Sequence, residues 1–226
     1  MCKSGEVSVA PIISLPTLLR DLGHRPRKVF ATAQVELQVF SKPENRLALA
    51  DAGRLLVACV EQTKYEHFGL LMGERFDLSN FGALGHLLRN SGSVGDALRS
   101  LVLNLHWHDR GAVAIFKTST RSTTFLGYSI YRRETPGIPQ IYDVAITIAY
   151  RIVQELCGPT WKPQSVQFAY RKPSDLEPYK RVFRVPVRFN AEVSGITGHR
   201  GRAERRRQRK LDGPAAGPGF YLDRQG

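Results

Sequence analysis

Val94-Gly95-Asp96-Ala97-Leu98-Arg99-Ser100-Leu101-Val102-Leu103-Asn104-Leu105, followed after residues 106–111 by Ala112-Val113-Ala114-Ile115-Phe116-Lys117, is where the chain changes its hydrophobic period. In the first segment Val94, Ala97, Leu98, Leu101, Val102 and Leu105 recur every three or four residues. Ser93 stands where a helix N-cap accepts a backbone hydrogen bond. In the second, Ala112, Ala114 and Phe116 alternate with Val113, Ile115 and Lys117, the period of a strand. A helical run that gives way to strands in this manner predicts an α+β domain.

Upstream of the switch the pattern stays helical. Ile13, Leu15, Leu18, Leu19 and Leu22 form an apolar stripe that Gly23 ends, and Leu47, Ala50, Leu55, Ala58 and Cys59 mark a longer helix over residues 46–64. Phe68, Leu70, Leu71 and Met72 predict a short helix, and Leu78-Ser79-Asn80 supplies capping residues for another over 81–89. Downstream, residues 122–131 form a second strand joined to the first as a hairpin. Ile141, Val144, Ala145, Ile148, Ala149, Ile152 and Leu156 then make the broad face of a crossover helix that Gly158-Pro159 stops. A strand over 166–170, a short helix from Pro173 to Phe183 and a last strand over 187–189 follow. The expected architecture is a helical N-terminal half, a small antiparallel sheet with a crossover helix, and a disordered basic tail. The domain is placed at 1–193 and the tail at 194–226, where glycine, arginine and proline replace any apolar period.

Composition narrows the class. The 226 residues suffice for one ordinary domain with a real core. Lys and Arg number 33 against 20 Asp and Glu, a net charge of +13, but the tail alone holds eight basic and three acidic residues. The excess over the remainder is mild and is no DNA-binding signature. Cys2, Cys59 and Cys157 are odd in number, far apart and outside metal-ligand spacing, which suits a reducing, cytoplasmic compartment. The apolar run from Val7 to Leu19 is broken by Pro11 and Pro16 and predicts no membrane span, and Arg25, Arg27 and Lys28 separate it from the cleavage-like Ala31-Thr32-Ala33, which disfavours secretion.

Chemistry-bearing motifs are sparse. No phosphate-cradling glycine loop and no nucleophile elbow is present, and Cys157 belongs to the apolar face of a helix. His106 and His108 would share a face of an extended strand and could hold a metal there, but at a helix end they diverge, and no third ligand stands nearby. His67 and His86 lie beside apolar residues and read as packed or exposed. Tyr128, Tyr131, Arg132 and Arg133 either line a pocket for an anionic small molecule or form an aromatic sheet face with solvated arginines. The run Arg205-Arg206-Arg207-Gln208-Arg209-Lys210 can neutralise phosphates, yet it contains no aromatic ring to stack on bases. No catalytic constellation, cofactor site or metal site is predicted.

Two stretches carry a resemblance. One is His67-Phe68-Gly69-Leu70-Leu71-Met72-Gly73-Glu74-Arg75-Phe76-Asp77-Leu78-Ser79-Asn80-Phe81-Gly82-Ala83-Leu84-Gly85 with Ser93-Val94-Gly95-Asp96-Ala97-Leu98. The other combines Trp161-Lys162-Pro163, Val166, Pro173-Ser174-Asp175, Tyr179, Phe183 and Pro186-Val187-Arg188-Phe189. Together they resemble the amino-terminal effector-sensing domain of AraC-type bacterial transcription regulators, in the group that includes the ornithine-utilisation regulator. The resemblance spans residues 10 to 193 or so.

That resemblance implies a sensor for a small-molecule effector of unidentified class that self-associates as a homodimer, or pairs with a full-length relative. It implies no enzyme activity and no membrane association. The effector pocket is assigned to His106, His108, Tyr128, Tyr131 and Arg133. The 33 residues after 193 are too few for the family's helix-turn-helix domain of roughly 100 residues. Sequence-specific DNA binding is therefore expected to be lost, with the tail attributed to truncation or a reading-frame change. A general nucleic-acid binder acting through the basic tail, and more remotely a small-molecule enzyme, are the competing expectations.

Overall fold

The computed structural model describes residues 5–119, 123–132 and 134–199. Its first half contains strand β1 (Glu6–Ser8), helices α1 (Leu15–Asp21) and α2 (Pro26–Thr32), strand β2 (Arg46–Ala48), and helices α3 (Leu49–Thr63), α4 (Phe68–Glu74), α5 (Ala83–Arg89) and α6 (Val94–Asn104). Its second half runs through β3 (Ala112–Thr118), β4 (Thr123–Ile130), the long helix α7 (Ile138–Cys157), β5 (Ser165–Gln167), α8 (Glu177–Phe183), β6 (Val187–Arg188) and β7 (Ser194–His199). This is the α+β arrangement that the change of period predicts.

Local signals account for most boundaries. Gly23 lies at φ +80° just after α1, and the Ser93 side chain accepts the Asp96 amide at 3.1 Å to cap α6. The segment before α5 differs from expectation. Asp77 caps a 3-10 turn over Leu78–Phe81 in a reciprocal box with Asn80, and α5 begins only after Gly82, which lies at φ +53°. Residues 46–48, read as the start of a helix, are instead β2. Leu47 is buried there, and β2 pairs antiparallel with β1.

The main sheet has the order β3-β4-β7-β5-β6 and is antiparallel except for the parallel β5–β6 pair. Its central strand, β7, corrects the expected start of the tail at Ser194. Gly195 and Gly198 hide the strand from a propensity reading, yet Gly195 has a packing role. The Phe125 ring lies across Gly127 and Gly195, which face each other on β4 and β7, and a Cβ at Gly195 would fall 2.4 Å from that ring. Residues 200–226, including the rest of the expected tail and its arginine run, lie outside the described residues. No described helix is long and apolar enough to cross a membrane.

Helix α7 is the axis around which the layers assemble. Gly69 and Gly73, one turn apart on α4, let the two helices approach until a Cβ at Gly69 would sit 2.5 Å from the Gln140 carbonyl. At Gly73 a Cβ would lie 2.5 Å from Thr147 Cβ. Gln140 fastens the crossing: its side-chain oxygen accepts the Gly69 amide at 2.7 Å, and its amide donates to the Glu66 carbonyl at 2.7 Å.

On the same side of α7 a carboxyl is fully buried. Asp143 has no exposed surface and is bonded by the hydroxyls of Tyr170 and, at 3.0 Å, Tyr179, which also touch each other at 2.9 Å. The neutral acid brings three hydroxyl protons to this triangle of three contacts, whereas the carboxylate leaves only two. Burial raises the Asp143 pKa to about 7, against the pull of the tyrosine hydrogen bonds.

Two outcomes follow from this packing. Gly69→Ala drives a methyl into backbone and is expected to lower unfolding free energy by about 3 kcal/mol in urea titrations. Because the folded-state pKa of Asp143 lies above the ordinary carboxylate value, its proton stabilises the fold at low pH, and that contribution disappears as pH rises through the window from about 4 to about 7. Between pH 5 and pH 8 the wild type should lose about 3 kcal/mol relative to Asp143→Asn, compared by denaturant unfolding at both pH values.

Candidate functional site

The opposite face of α7 borders a cavity of about 130 Å³. Ile141, Val144, Ala145, Ile148, Ala149 and Ile152 recur at helical spacing and form one wall. Leu49, Ala52 and Leu56 of α3 add a second, and Leu101 of α6 with Leu105 and Phe81 add a third. The sheet supplies Ala114, Leu126, Gly127 and Tyr128, and the N-terminal segment supplies Val7, Ser8, Pro11 and Ile12.

The polar lining is concentrated where β1 meets the connection from α6 to β3. The Ser8 amide donates to the His108 carbonyl at 2.6 Å, the Arg110 amide donates to the Glu6 carbonyl at 2.9 Å, and Val7 bridges to Asp109. This pairing brings Ser8 to the cavity wall alongside His108 and Asp109. The Ser8 hydroxyl is already committed, donating to the Pro43 carbonyl at 3.0 Å and accepting the Ala10 amide at 3.1 Å.

Asp109 accepts the Gly111 amide at 2.7 Å through one oxygen and the Tyr128 hydroxyl through the other. Burial raises its pKa despite these hydrogen bonds, and burial together with the neighbouring Asp109 charge raises that of Tyr128 well above its ordinary value. The His108 ring stacks on Phe81 with centroids 4.5 Å apart. Burial lowers the pKa of this imidazole, opposed by a backbone interaction with Phe81 and assisted by the charge of Arg46, so the ring is neutral at pH 7. Its Nδ1 is buried and has no hydrogen-bond partner.

The residues that the sequence nominates are therefore divided. His108 and Tyr128 come together in the cavity wall. His106 is exposed on a 3-10 turn over Leu105–Trp107, with its Nδ1 3.0 Å from the Leu103 carbonyl, and lines no part of the cavity. Tyr131 is 66% exposed and borders a separate cleft of about 470 Å³ with Arg132, Arg110 and Glu134. Arg133 lies outside the described residues. Sequence reasoning missed Asp109 and the segment from Val7 to Ile12. Asp109 has the character of an ordinary turn residue, and only the apolarity of Val7, Val9 and Ile12 hinted that the N-terminal segment enters the core. Among the described residues no three His, Cys, Asp or Glu side chains gather as a metal site.

Residues 23–206 match the family described as the arabinose-binding domain of AraC transcription regulator, N-term. The chain is 23% identical over 183 residues to the HTH-type transcriptional regulator VirS of Mycobacterium tuberculosis, covering 79% of this chain and 53% of that protein. It is 25% identical over 193 residues to the Ornithine utilization regulator of Pseudomonas aeruginosa, covering 81% and 54% respectively. The crystal structure of the transcriptional regulator CdpR from Pseudomonas aeruginosa shares the fold, with a TM-score of 0.58 at 18% identity over 80% of this chain and 55% of that one. The chain thus spans about half the length of the curated relatives it matches. With most of its length matched, the chain belongs to the family of the N-terminal arabinose-binding domain of AraC transcription regulators.

Proposed function

We propose that the chain is the effector-sensing part of an AraC-type transcription regulator and that the effector occupies the cavity between α7 and the main sheet. The observation that carries this reading is the apolar cavity itself, with His108, Asp109 and Tyr128 in its wall. Concave, mostly apolar sites with a few placed polar groups are the usual form of small-molecule sites. The family match to regulators supports the same reading.

The cavity is bordered at once by α7, the sheet, α3 and the N-terminal segment. A ligand there touches four elements and stabilises the arrangement in which all four converge. Differential affinity for that arrangement shifts its population, which is what a sensor must transmit. Pairing with a second copy, or with a full-length relative, belongs to the same proposal. Sedimentation velocity of the chain alone and mixed with such a relative tests it, and a lone monomer peak in both samples overturns the pairing. The family match does not favour a general nucleic-acid binder acting through the basic tail, and the relatives it brings are regulators rather than enzymes.

The cavity assignment is tested by thermal unfolding against a panel of sugars, amino acids and aromatic metabolites. A true effector at about 100 times its Kd adds about 2.7 kcal/mol, or roughly 5–10 °C for a domain of this size. Ala145→Leu fills the cavity from α7 and is expected to abolish that shift. A ligand whose shift survives Ala145→Leu unchanged binds elsewhere and removes the cavity from the account.

A further inference from the structure

The walls of the cavity restrict what it can hold more tightly than the family description does. Its volume of about 130 Å³ is comparable to the roughly 150 Å³ engineered cavity that admits benzene, so a single ring or a branched chain of similar bulk fills it. Among the described residues four polar ones border it: Ser8, His108, Asp109 and Tyr128. Three of them are already engaged. Ser8 is held by Pro43 and Ala10, and Asp109 and Tyr128 bond each other. The fourth, His108, stacks on Phe81, and its ring is committed to none of the other three.

Among the described residues no lysine or arginine lines the cavity, and the one acidic group that does, Asp109, accepts a hydrogen bond through each oxygen. A carboxylate or phosphate, the α-carboxylate of a diamino acid included, would enter without a countercharge. A pentose would set several hydroxyls against aliphatic carbon, where each one left unpaired weakens binding.

We propose that the cavity selects a small uncharged molecule with an apolar body the size of one substituted ring and a single hydrogen-bonding group that pairs with His108. This rests on the reading of the cavity as the effector site and adds the ligand class to it. Sugars, diamino acids and phosphorylated metabolites are excluded by the same walls.

Isothermal titration of the full chain with phenol, toluene, arabinose and ornithine tests both parts. Phenol and toluene are expected to bind, with phenol favoured roughly three- to tenfold by its one hydrogen bond. Arabinose and ornithine are expected to give no heat. His108→Phe keeps a ring on Phe81 and removes the nitrogen, so it should erase the preference for phenol while toluene still binds. Ala149→Leu should abolish both.

A phenol preference that persists in His108→Phe overturns the role of His108. Binding of arabinose or ornithine that Ala149→Leu abolishes keeps the cavity as the effector site and overturns the ligand class. Failure of every probe to bind, or binding indifferent to Ala149→Leu, overturns the class and the cavity assignment together. Should His108→Phe fail to fold, the comparison of the four probes on wild type and Ala149→Leu still decides the class.

Discussion

The close approach of α4 to α7 through Gly69 and Gly73 is the constraint on which the rest of the structure depends. It fixes the rotation of α7 about its own axis, because only the side carrying Gln140, Asp143 and Thr147 can meet two glycines one turn apart. Once that side is committed, the stripe of Ile141, Val144, Ala145, Ile148, Ala149 and Ile152 must face the space beneath the sheet. The cavity is thus a by-product of how a helix is clamped on its other side. Its walls are aliphatic because they belong to a core helix, and its shape is inherited from the clamp.

The polar end has a different origin. It comes from chain segments that pair by backbone, where residues 6–10 lie against residues 43–48 and 108–110. Two carboxyls, the half-buried Asp109 and the buried Asp143, are linked by a run of aromatic rings: Tyr128 meets Tyr142 edge-on with centroids 6.1 Å apart, and Tyr142 stacks on Tyr170 at 6.4 Å. The apolar clamp and the polar end therefore meet through continuous packing.

Much of this was legible in the sequence, and the omissions have physical causes. The helices α1, α3, α6 and α7 carry long apolar stripes, and the β3–β4 hairpin alternates over seven or eight residues, so periodicity finds them. Strands β1, β2 and β7 escape because two span only three residues each and the third contains two glycines. Their existence is decided by partners distant in sequence, which no local window contains. The site divides in the same way. Tyr128 is found because aromatic residues on a strand stand out, whereas Asp109 becomes part of the wall only through β1 and the Tyr128 hydroxyl. His106 and His108 look alike in sequence, and only the 3-10 turn between them sends one to solvent and the other onto Phe81.

The Phe125 ring over Gly127 and Gly195 has a consequence for how this chain can vary. A side chain at 195 is blocked by the ring, and a smaller residue at 125 would uncover two bare glycine backbones in the middle of a sheet. Shrinking the ring does not free position 195, because a Cβ there would also lie 2.6 Å from the Leu126 carbonyl. Glycine at 195 is thus required by both a ring and a backbone carbonyl of the neighbouring strand, some seventy residues earlier in the chain.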